Sequence, residues 1–340
     1  MFKTLANAFR IKEIRNKILF TLAMLVVIRI GSILPIPGVN TDYFTNLFNT
    51  TATGDQFSFV NALTGGSLLK MSVFALSITP YITSSIIMQL LTIAIPKLEE
   101  LQKDGEDGRK KTATITRYVT IALSLIEGIA MVIGFGRQGL ISNYSSMTTF
   151  HKIFSGVMMV SILTAGSALL MWIGETITDK GIGNGISILL FAGIVAQLPY
   201  TLSMLGQFWK LAGEGSTQFY FLVPLWIVIF VAIVWAITFM QDSERRIPIQ
   251  YAKRVVGRKM YGGQSSHLPI KVALGGVLPI IFASSILSIP GTINLFAKVK
   301  DGFWGAFFNA FDTSGWLYNV LYFILIIMFA YFYTTIQYNP

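Results

Sequence analysis

The chain contains no cysteine and only two histidines among its 340 residues. It can therefore form no disulfide, no thiolate nucleophile and no cysteine-ligated metal site, and two histidines cannot build a histidine cluster. Charged residues are also scarce, at 12%, whereas 53% of the residues are hydrophobic and the mean hydropathy is +0.63. Because these values lie far outside those of soluble globular domains, the sequence indicates a polytopic membrane protein.

Catalytic motifs are missing as well. The sequence has no HExxH, GxSxG or GxGD signature and no phosphate-binding loop. The glycine-rich run GIGNG at residues 181–185 is better explained as a turn into a helix than as a dinucleotide-binding fingerprint. We therefore expect no enzymatic activity and no cofactor.

Long apolar runs dominate the sequence instead. Eight of them could cross about 30 Å of hydrocarbon as helices. Because lipid offers no partner to backbone N–H and C=O groups, and because the runs lack the alternation of a barrel, helices are expected throughout. The predicted spans are residues 18–34, 71–95, 115–135, 153–173, 186–205, 219–240, 272–289 and 315–336.

The basic residues are unevenly divided between the two sides of these spans. Of the 26 Lys and Arg residues, 19 lie on the side of the N-terminus, 6 on the other side, and one, Arg29, near the outer end of a span. The positive-inside rule then places both ends of the chain in the cytoplasm. This orientation explains the net charge of +10 better than nucleic-acid binding does. Arg29 is assigned no role, because snorkelling near a helix end is cheap.

Two basic segments on the cytoplasmic side have competing interpretations. Residues 1–17 form either an amphipathic helix on the membrane surface or a solvated tail. The loop at residues 241–271 is either a solvated topogenic loop or a docking surface. Its length favours docking, because far fewer basic residues would set the orientation.

The apolar piece at residues 57–69 is too short to cross a membrane and too hydrophobic for an exposed loop. It is either buried among helices or lies as an interfacial helix on the outer surface, and the sequence does not favour one over the other. Gly65 and Gly66 would let it turn tightly.

Two spans carry polar residues that a lipid-facing helix does not need. The run at 71–95 contains Pro80, Ser84, Ser85 and Gln89, and residues 275–290 repeat the order of proline, isoleucines and a Ser-Ser pair. These features suggest a path through the membrane, with proline kinks where a bundle opens. The structural alternative is that the hydroxyl groups bond to helix carbonyls or join helices.

Glu127 is the one ionisable residue in the middle of a span. A buried carboxylate in a membrane is costly, so it has either a function or a partner on a neighbouring helix.

Aliphatic residues one helical turn apart occur in two spans, as Ile82 with Ile86 and as Leu190 with Ile194. Such stripes usually form core or lipid contacts. Their position near a proline and hydroxyl groups favours the alternative of a narrow hydrophobic constriction, which would hinder ions and yield to a passing chain.

Seven stretches of the sequence resemble the bacterial SecY family, the channel subunit of the protein translocase. They are TPYITSSIIMQLL, DGEDGRKKTATITRY, LMWIGETITDKGIGNGISILLFAGI, RRIPIQYAKR, GGQSSHLPIKV, GGVLPIIFASSI and FYTTIQYNP. The resemblance runs from end to end. It implies an all-α membrane fold of ten helices, in which two inverted five-helix halves close like a clamshell around a pore.

Eight of these ten helices are expected in this chain. Five would form an N-terminal half at residues 18–205, and three an incomplete C-terminal half at 206–340. The family continues through a further loop and two more helices, so unaided conduction is not expected.

The resemblance also implies roles for particular residues. The pore ring would comprise Ile82, Ile86, Leu190, Ile194 and Ile281. A plug at residues 57–70 would include Phe59, Asn61, Leu63, Gly65 and Leu68. A lateral gate would be lined by Ser85, Gln89, Glu127, Ser284 and Ser285. Docking contacts in the basic loop would be Arg245, Arg246, Arg254, Arg258 and Lys259.

The implied function is the passage of unfolded secretory polypeptides across the cytoplasmic membrane, with sideways release of signal sequences and membrane spans. The implied partners are SecE, SecG, the SecA motor or a translating ribosome, a polypeptide bearing a signal sequence, and anionic lipids. No nucleic-acid recognition is expected beyond ribosomal RNA. The alternatives are a secondary transporter, a membrane insertase or a structural scaffold; a transporter would need a small-ligand site and coupling charges, which the sequence does not offer.

Overall fold

The computed structural model describes residues 9–42, 61–141, 147–249, 254–256, 259–261, 266–273, 275–297, 302–311 and 315–337. The described residues are mostly helical, as predicted. Their contacts form two compact units, Met1–Tyr200 and Thr201–Pro340. The predicted boundary between the two halves, at residues 205 and 206, stays a prediction.

The first unit is a bundle of helices. Its helices are α1 Lys12–Ile33, α2 Thr79–Ala94, α3 Pro96–Lys103, α4 Gly105–Phe135, α5 Thr149–Lys180 and α6 Gly185–Ala196. Helix α4 packs against α2 and α5, and α5 also packs against α1 and α6. A π-turn, Gly136–Leu140, follows α4.

The second unit combines helices with short strands. Its helices are α7 Leu198–Gly213, whose first three residues belong to the first unit, α8 Phe219–Asp242, α9 Leu278–Ala297, α10 Gly302–Ala310 and α11 Trp316–Gln337. Helix α9 packs against α11, where the Phe282 and Phe329 rings stack with their centroids 5.2 Å apart.

The basic loop contains strands that the sequence reasoning did not predict. They are β1 Glu244–Ile249, β2 Arg254–Val256, β3 Lys259–Tyr261 and β4 Ser266–Lys271. Strand β1 pairs with β4 in antiparallel register, and β2 pairs with β3. The two pairs form separate two-stranded sheets.

Six helical segments of the described chain are long and apolar enough to cross a membrane. They are Lys12–Ile33, Gly105–Phe135, Thr149–Lys180, Gly185–Gly213, Phe219–Asp242 and Trp316–Thr335. The fourth of these consists of α6 and α7, which Gln197 separates. Helix α2 and the apolar part of α9 are shorter, so the predicted count of eight spans is not confirmed.

The predicted helix at residues 71–95 is wrong in its first third. Residues 71–78 form turns, in which Met71 and Ser77 have positive φ angles of 42° and 52°. Helix α2 begins only at Thr79, and Pro80 lies in its first turn. A proline at that position removes no helical hydrogen bond, so Pro80 starts the helix rather than kinking it. Irregular backbone is tolerated at membrane depth when protein covers it, which composition alone does not reveal.

Two other boundaries differ from the prediction. Helix α9 begins at Leu278 rather than at residue 272, with Pro279 in its first turn, and continues through Pro290. Helix α1 begins at Lys12, so residues 12–17 belong to the first span instead of a separate surface helix. Residues 1–8 lie outside the described residues.

Small and hydroxyl-bearing residues allow α4 to pack closely. Six of them recur at intervals of four along the helix, namely Gly108, Thr112, Thr116, Thr120, Ser124 and Gly128. The Thr120 hydroxyl donates to the Thr116 carbonyl at 2.7 Å and that of Thr116 to the Thr112 carbonyl at 2.9 Å, so these groups are satisfied within the helix. Small residues of this kind are typical of helix contacts in membranes.

Candidate functional site

A stretch made largely of turns lies inside the first unit. We call residues 61–70 the tip and residues 71–78 the root of this inner segment. Thr64, Ser67 and Leu68 in the tip are 6%, 1% and 3% exposed, and Met71 in the root is fully buried. This burial favours the interpretation of a segment among helices over that of a helix resting on the outer surface.

Backbone contacts attach the root to the chain that follows α1. Ser72 forms an antiparallel bridge with Pro35. The N–H of Ile36 donates to the Met71 carbonyl, and the N–H of Val73 to the Leu34 carbonyl, both at 3.0 Å.

Helix α5 covers the other side of the root. A β-carbon on Gly166 would overlap the Val73 carbonyl oxygen, so the two backbones touch where only glycine fits.

The tip is a compact turn with several hydrogen bonds between its own residues. The Thr64 hydroxyl donates to the Asn61 carbonyl at 3.0 Å, and the Leu69 N–H donates to the Asn61 side-chain oxygen at 3.4 Å. The Gly66 N–H also donates to the Asn61 carbonyl, at 3.0 Å. Gly65 has a φ of +66°, a conformation that glycine adopts without strain.

Specific contacts with α1, with α6 and with the residue after α6 help to hold the tip. A β-carbon on Gly193 of α6 would lie 2.6 Å from the Leu63 carbonyl oxygen, so helix and tip meet backbone to backbone. Arg29 of α1 donates from Nη1 to the Gly65 carbonyl at 3.2 Å. Gln197 donates from Nε2 to the Asn61 carbonyl at 3.4 Å.

None of these neighbours of the tip was predicted from the sequence. Arg29 received no role, and Gly193 and Gln197 were not singled out. A signal did exist for Arg29, because a cation within an apolar span normally has a partner inside the protein.

The predicted pore-ring residues differ in burial. Ile82 and Ile86 lie one turn apart on α2 and are 8% and 5% exposed. Ile281 is buried on α9 of the second unit.

The two ring residues predicted on α6 have different surroundings from each other. Leu190 packs against a core cluster that includes Ile173, Ile177 and Leu189, whereas Ile194 is 51% exposed. The ring itself stays a prediction.

The predicted gate residues lie on α2, α4 and α9. Ser85 is half-buried and Gln89 exposed on α2, while the hydroxyls of Ser284 and Ser285 donate to the Ile281 carbonyl at 2.9 and 2.7 Å. Glu127 is half-buried on α4, and among the described residues its carboxylate has no hydrogen bond or ion pair.

Two polar contacts between helices of the first unit were not predicted. Ser84, which is fully buried, donates its hydroxyl to the Thr116 carbonyl at 2.7 Å and so joins α2 to α4. Arg117 on α4 pairs with Glu175 on α5, with 2.8 Å between Nε and Oε1. Ser84, the neighbour of the predicted gate residue Ser85, therefore provides a contact between α2 and α4.

The basic loop displays its arginines on strands. Arg245 and Arg246 are exposed on β1, opposite Ile270 and Pro269 of β4, and as neighbours in a strand they point to opposite faces. Arg254 is the first residue of β2 and Lys259 the first of β3. The remaining predicted docking residue, Arg258, lies outside the described residues, as does Phe59 of the predicted plug.

Comparison with known proteins decides the family. The SecY family profile matches residues 72–340. The protein translocase subunit SecY of Streptomyces scabiei is 42% identical over 348 residues, which cover all of this chain and 78% of that protein. The SecY subunit of Mycobacterium tuberculosis is 40% identical over 351 residues, with the same coverage. The chain belongs to the SecY family.

Solved SecY-type structures share the fold. A protein-conducting channel matches with a TM-score of 0.61 at 17% identity, over 95% of this chain and 72% of that one. A SecY whose plug domain stabilises the closed state and maintains a membrane seal matches with a TM-score of 0.58 at 18% identity, with the same coverage. Canine Sec61 in a ribosome-channel complex matches with a TM-score of 0.55 at 20% identity, over 84% of this chain and 59% of that one. These likenesses confirm the SecY fold that the sequence resemblance implied.

Proposed function

We propose that this chain is the pore-forming subunit of a protein-conducting channel, through which unfolded polypeptides cross a membrane. The observation that carries the proposal is about 40% identity to SecY translocase subunits along the whole chain. SecY proteins are channel subunits rather than enzymes, so the chain lowers a barrier and breaks no covalent bond. The alternatives of a secondary transporter or an insertase are not favoured by this membership.

The tip of the inner segment is the plug of the closed channel. Its burial among helices and its backbone contact with α6 support this role. In a resting channel such a segment fills the passage, and a translocating chain displaces it.

A ring of aliphatic side chains forms the narrowest part of the pore. We assign to it Ile82, Ile86, Leu190, Ile194 and Ile281. Ile82 and Ile86 lie one turn apart on α2 and do not face lipid, which is compatible with such a ring. An apolar ring hinders ions by dewetting and deforms around an extended polypeptide.

We also propose a lateral gate, which the resemblance to SecY implies. It would draw on α2 and α4 of the N-terminal half and on α9 and α11 of the C-terminal half. Its polar lining comprises Ser85, Gln89, Glu127, Ser284 and Ser285.

The chain lies in the cytoplasmic membrane with both of its ends in the cytoplasm. The excess of basic residues on that side supports this orientation. The loop at residues 241–271 then faces the cytoplasm, where SecA or a translating ribosome docks and anionic lipids surround it. SecE and SecG complete the membrane complex. Canine Sec61 has been solved bound to a ribosome, which supports such a partner for the same fold.

Polar substitution in the ring is expected to weaken the seal. Ile82→Asn and Ile281→Asn place an amide in the constriction, which favours wetting. We expect the resting ion conductance of the complete translocase in planar bilayers to rise about tenfold, consistent with the loss of roughly 1.4 kcal/mol from a barrier. Ile82→Leu, which keeps the side chain apolar, serves as the control. Unchanged conductance in both asparagine variants would count against the ring.

Charge reversal in the basic loop is expected to weaken docking. Replacing Arg245 and Arg246 by glutamate should lower the affinity of ribosomes or SecA for membranes containing the translocase about tenfold at low salt, with a smaller effect as salt screens the charges. The control makes the same charge change on the predicted outer side, at Lys152 and Lys210. Equal affinities of the two double variants at low salt would remove the docking role.

A further inference from the structure

The two parts of the inner segment are attached in different ways. Backbone hydrogen bonds hold the root to residues 34–36, and α5 covers it at Gly166. The tip is packed among its neighbours, and its polar contacts with them include the side chains of Arg29 and Gln197, beside the backbone contact at Gly193. Met71, with its φ of 42°, marks the joint between the two parts.

Arg29 binds the turn of the tip from α1. Arg29 is exposed near the outer end of α1, where a cation in an apolar span is stabilised by a polar partner within the protein. In the described part of the chain Arg29 forms no ion pair with a carboxylate. Its guanidinium instead donates to the Gly65 carbonyl, and a bond from a charged donor is stronger than a neutral one.

Gln197, which follows α6, binds the first residue of the tip. It occupies the break between α6 and α7, where its backbone N–H donates to the Ile194 carbonyl at 3.1 Å. Its side chain reaches the Asn61 carbonyl, which also accepts the Gly66 N–H. The Gln197 side chain therefore donates to the same Asn61 carbonyl that accepts a hydrogen bond within the turn.

We propose that Arg29 and Gln197 are the positioning residues that keep the plug seated, and that residues 61–70 leave as one unit while the root remains attached. The proposal rests on the proposed function, in which the tip is the plug. The internal bonds of the tip keep it intact as it moves. The side-chain bonds from Arg29 and Gln197 can break without unfolding a helix, whereas release of the root would break a backbone bridge.

Thiol labelling tests this division directly, because the chain has no cysteine of its own. Single cysteines are placed at Thr64 in the tip and at Ser72 in the root, which are 6% and 0% exposed. The complete translocase, closed and without substrate, is treated from the outer side with a membrane-impermeant maleimide. Labelling rates are compared between the parent and the variants Arg29→Met and Gln197→Leu.

We expect the cysteine at position 64 to react about tenfold faster in each variant, the shift that loss of one hydrogen bond to a charged or buried group produces. The cysteine at position 72 should keep its slow rate. Arg29→Lys, which retains a cationic donor, is expected to restore most of the protection. Ser32→Ala is the matched control, because the Ser32 hydroxyl donates only within α1, to the Arg29 carbonyl at 2.8 Å.

Equal acceleration at both positions would show general loosening of the unit and would overturn the proposal. Unchanged labelling at position 64 would overturn it too, because the tip would then need neither side chain. Ion conductance measured on the same variants distinguishes the role of Arg29 and Gln197 in holding the tip from the role of the tip as the seal of the pore. Faster labelling without added conductance would support the tethers and contradict the role of the tip as a seal.

Discussion

Replacing Gly193 by alanine is expected to open a leak in the resting channel. The new β-carbon would lie 2.6 Å from the Leu63 carbonyl oxygen, closer than such atoms approach in proteins. Both partners are backbone, one in helix α6 and one in the tip, so no side-chain rotation relieves the clash. The tip must move, and we expect ion conductance through the closed translocase to rise at least about tenfold, as for loss of roughly 1.4 kcal/mol of seating free energy.

The same substitution elsewhere provides the control. Gly206 on α7 has open space around it, with no atom within 4 Å of an added β-carbon. Alanine favours a helix over glycine by about 1 kcal/mol, so Gly206→Ala should be neutral or slightly stabilising. We therefore expect raised ion conductance in the Gly193→Ala variant and none in the Gly206→Ala variant. If both channels remain closed to ions, the tip does not seal the pore from its position beside Gly193.

Replacing Gly166 by alanine is expected to destabilise the first unit as a whole. Its β-carbon would overlap the Val73 carbonyl oxygen and would lie 3.2 Å from Val73 Cγ1. Helix α5 packs against α1, α2, α4 and α6, so it cannot retreat from the root without disturbing them. Overpacking of this kind costs roughly 1–3 kcal/mol. We expect the melting temperature of the purified complex to fall by several degrees.

Gly156, on the same helix, gives a matched comparison. A β-carbon there would meet Val132 Cγ1 at 3.5 Å, which is ordinary van der Waals contact. Gly156→Ala should therefore leave the melting temperature unchanged or raise it slightly. Equal melting temperatures for the two variants would show that the root and α5 are not in close contact.

Composition was sufficient to predict most of the membrane helices. Runs such as residues 219–240 and 315–336 became helices with almost the predicted ends, Phe219–Asp242 and Trp316–Gln337. A long apolar run leaves the backbone no other way to satisfy its hydrogen bonds in lipid. The prediction failed at residues 71–78, where protein rather than lipid surrounds the chain. Backbone groups in turns can find hydrogen-bond partners there.

The contacts of the tip could not be predicted from spacing alone. Arg29 and Gly65 are 36 residues apart, and Gln197 and Asn61 are 136 apart. Contacts at such separations depend on how the helices pack. The resemblance to SecY supplied roles for the tip, but no local pattern pointed to the glycine at position 193. Strand β1 was not predicted either, because its residues are almost all exposed and do not alternate between buried and exposed positions.

Helix α2 is shorter than the membrane is thick. Its 16 residues span about 24 Å, whereas the hydrocarbon layer measures about 30 Å. A lone helix of that length would force the bilayer to thin around it. Here the buried root continues the path beyond Thr79, and α1 and α5 shield it. Protein, rather than lipid, therefore surrounds the rest of this path across the membrane. In a thicker or thinner bilayer we expect the tilt of α1 to change and that of α2 to stay the same.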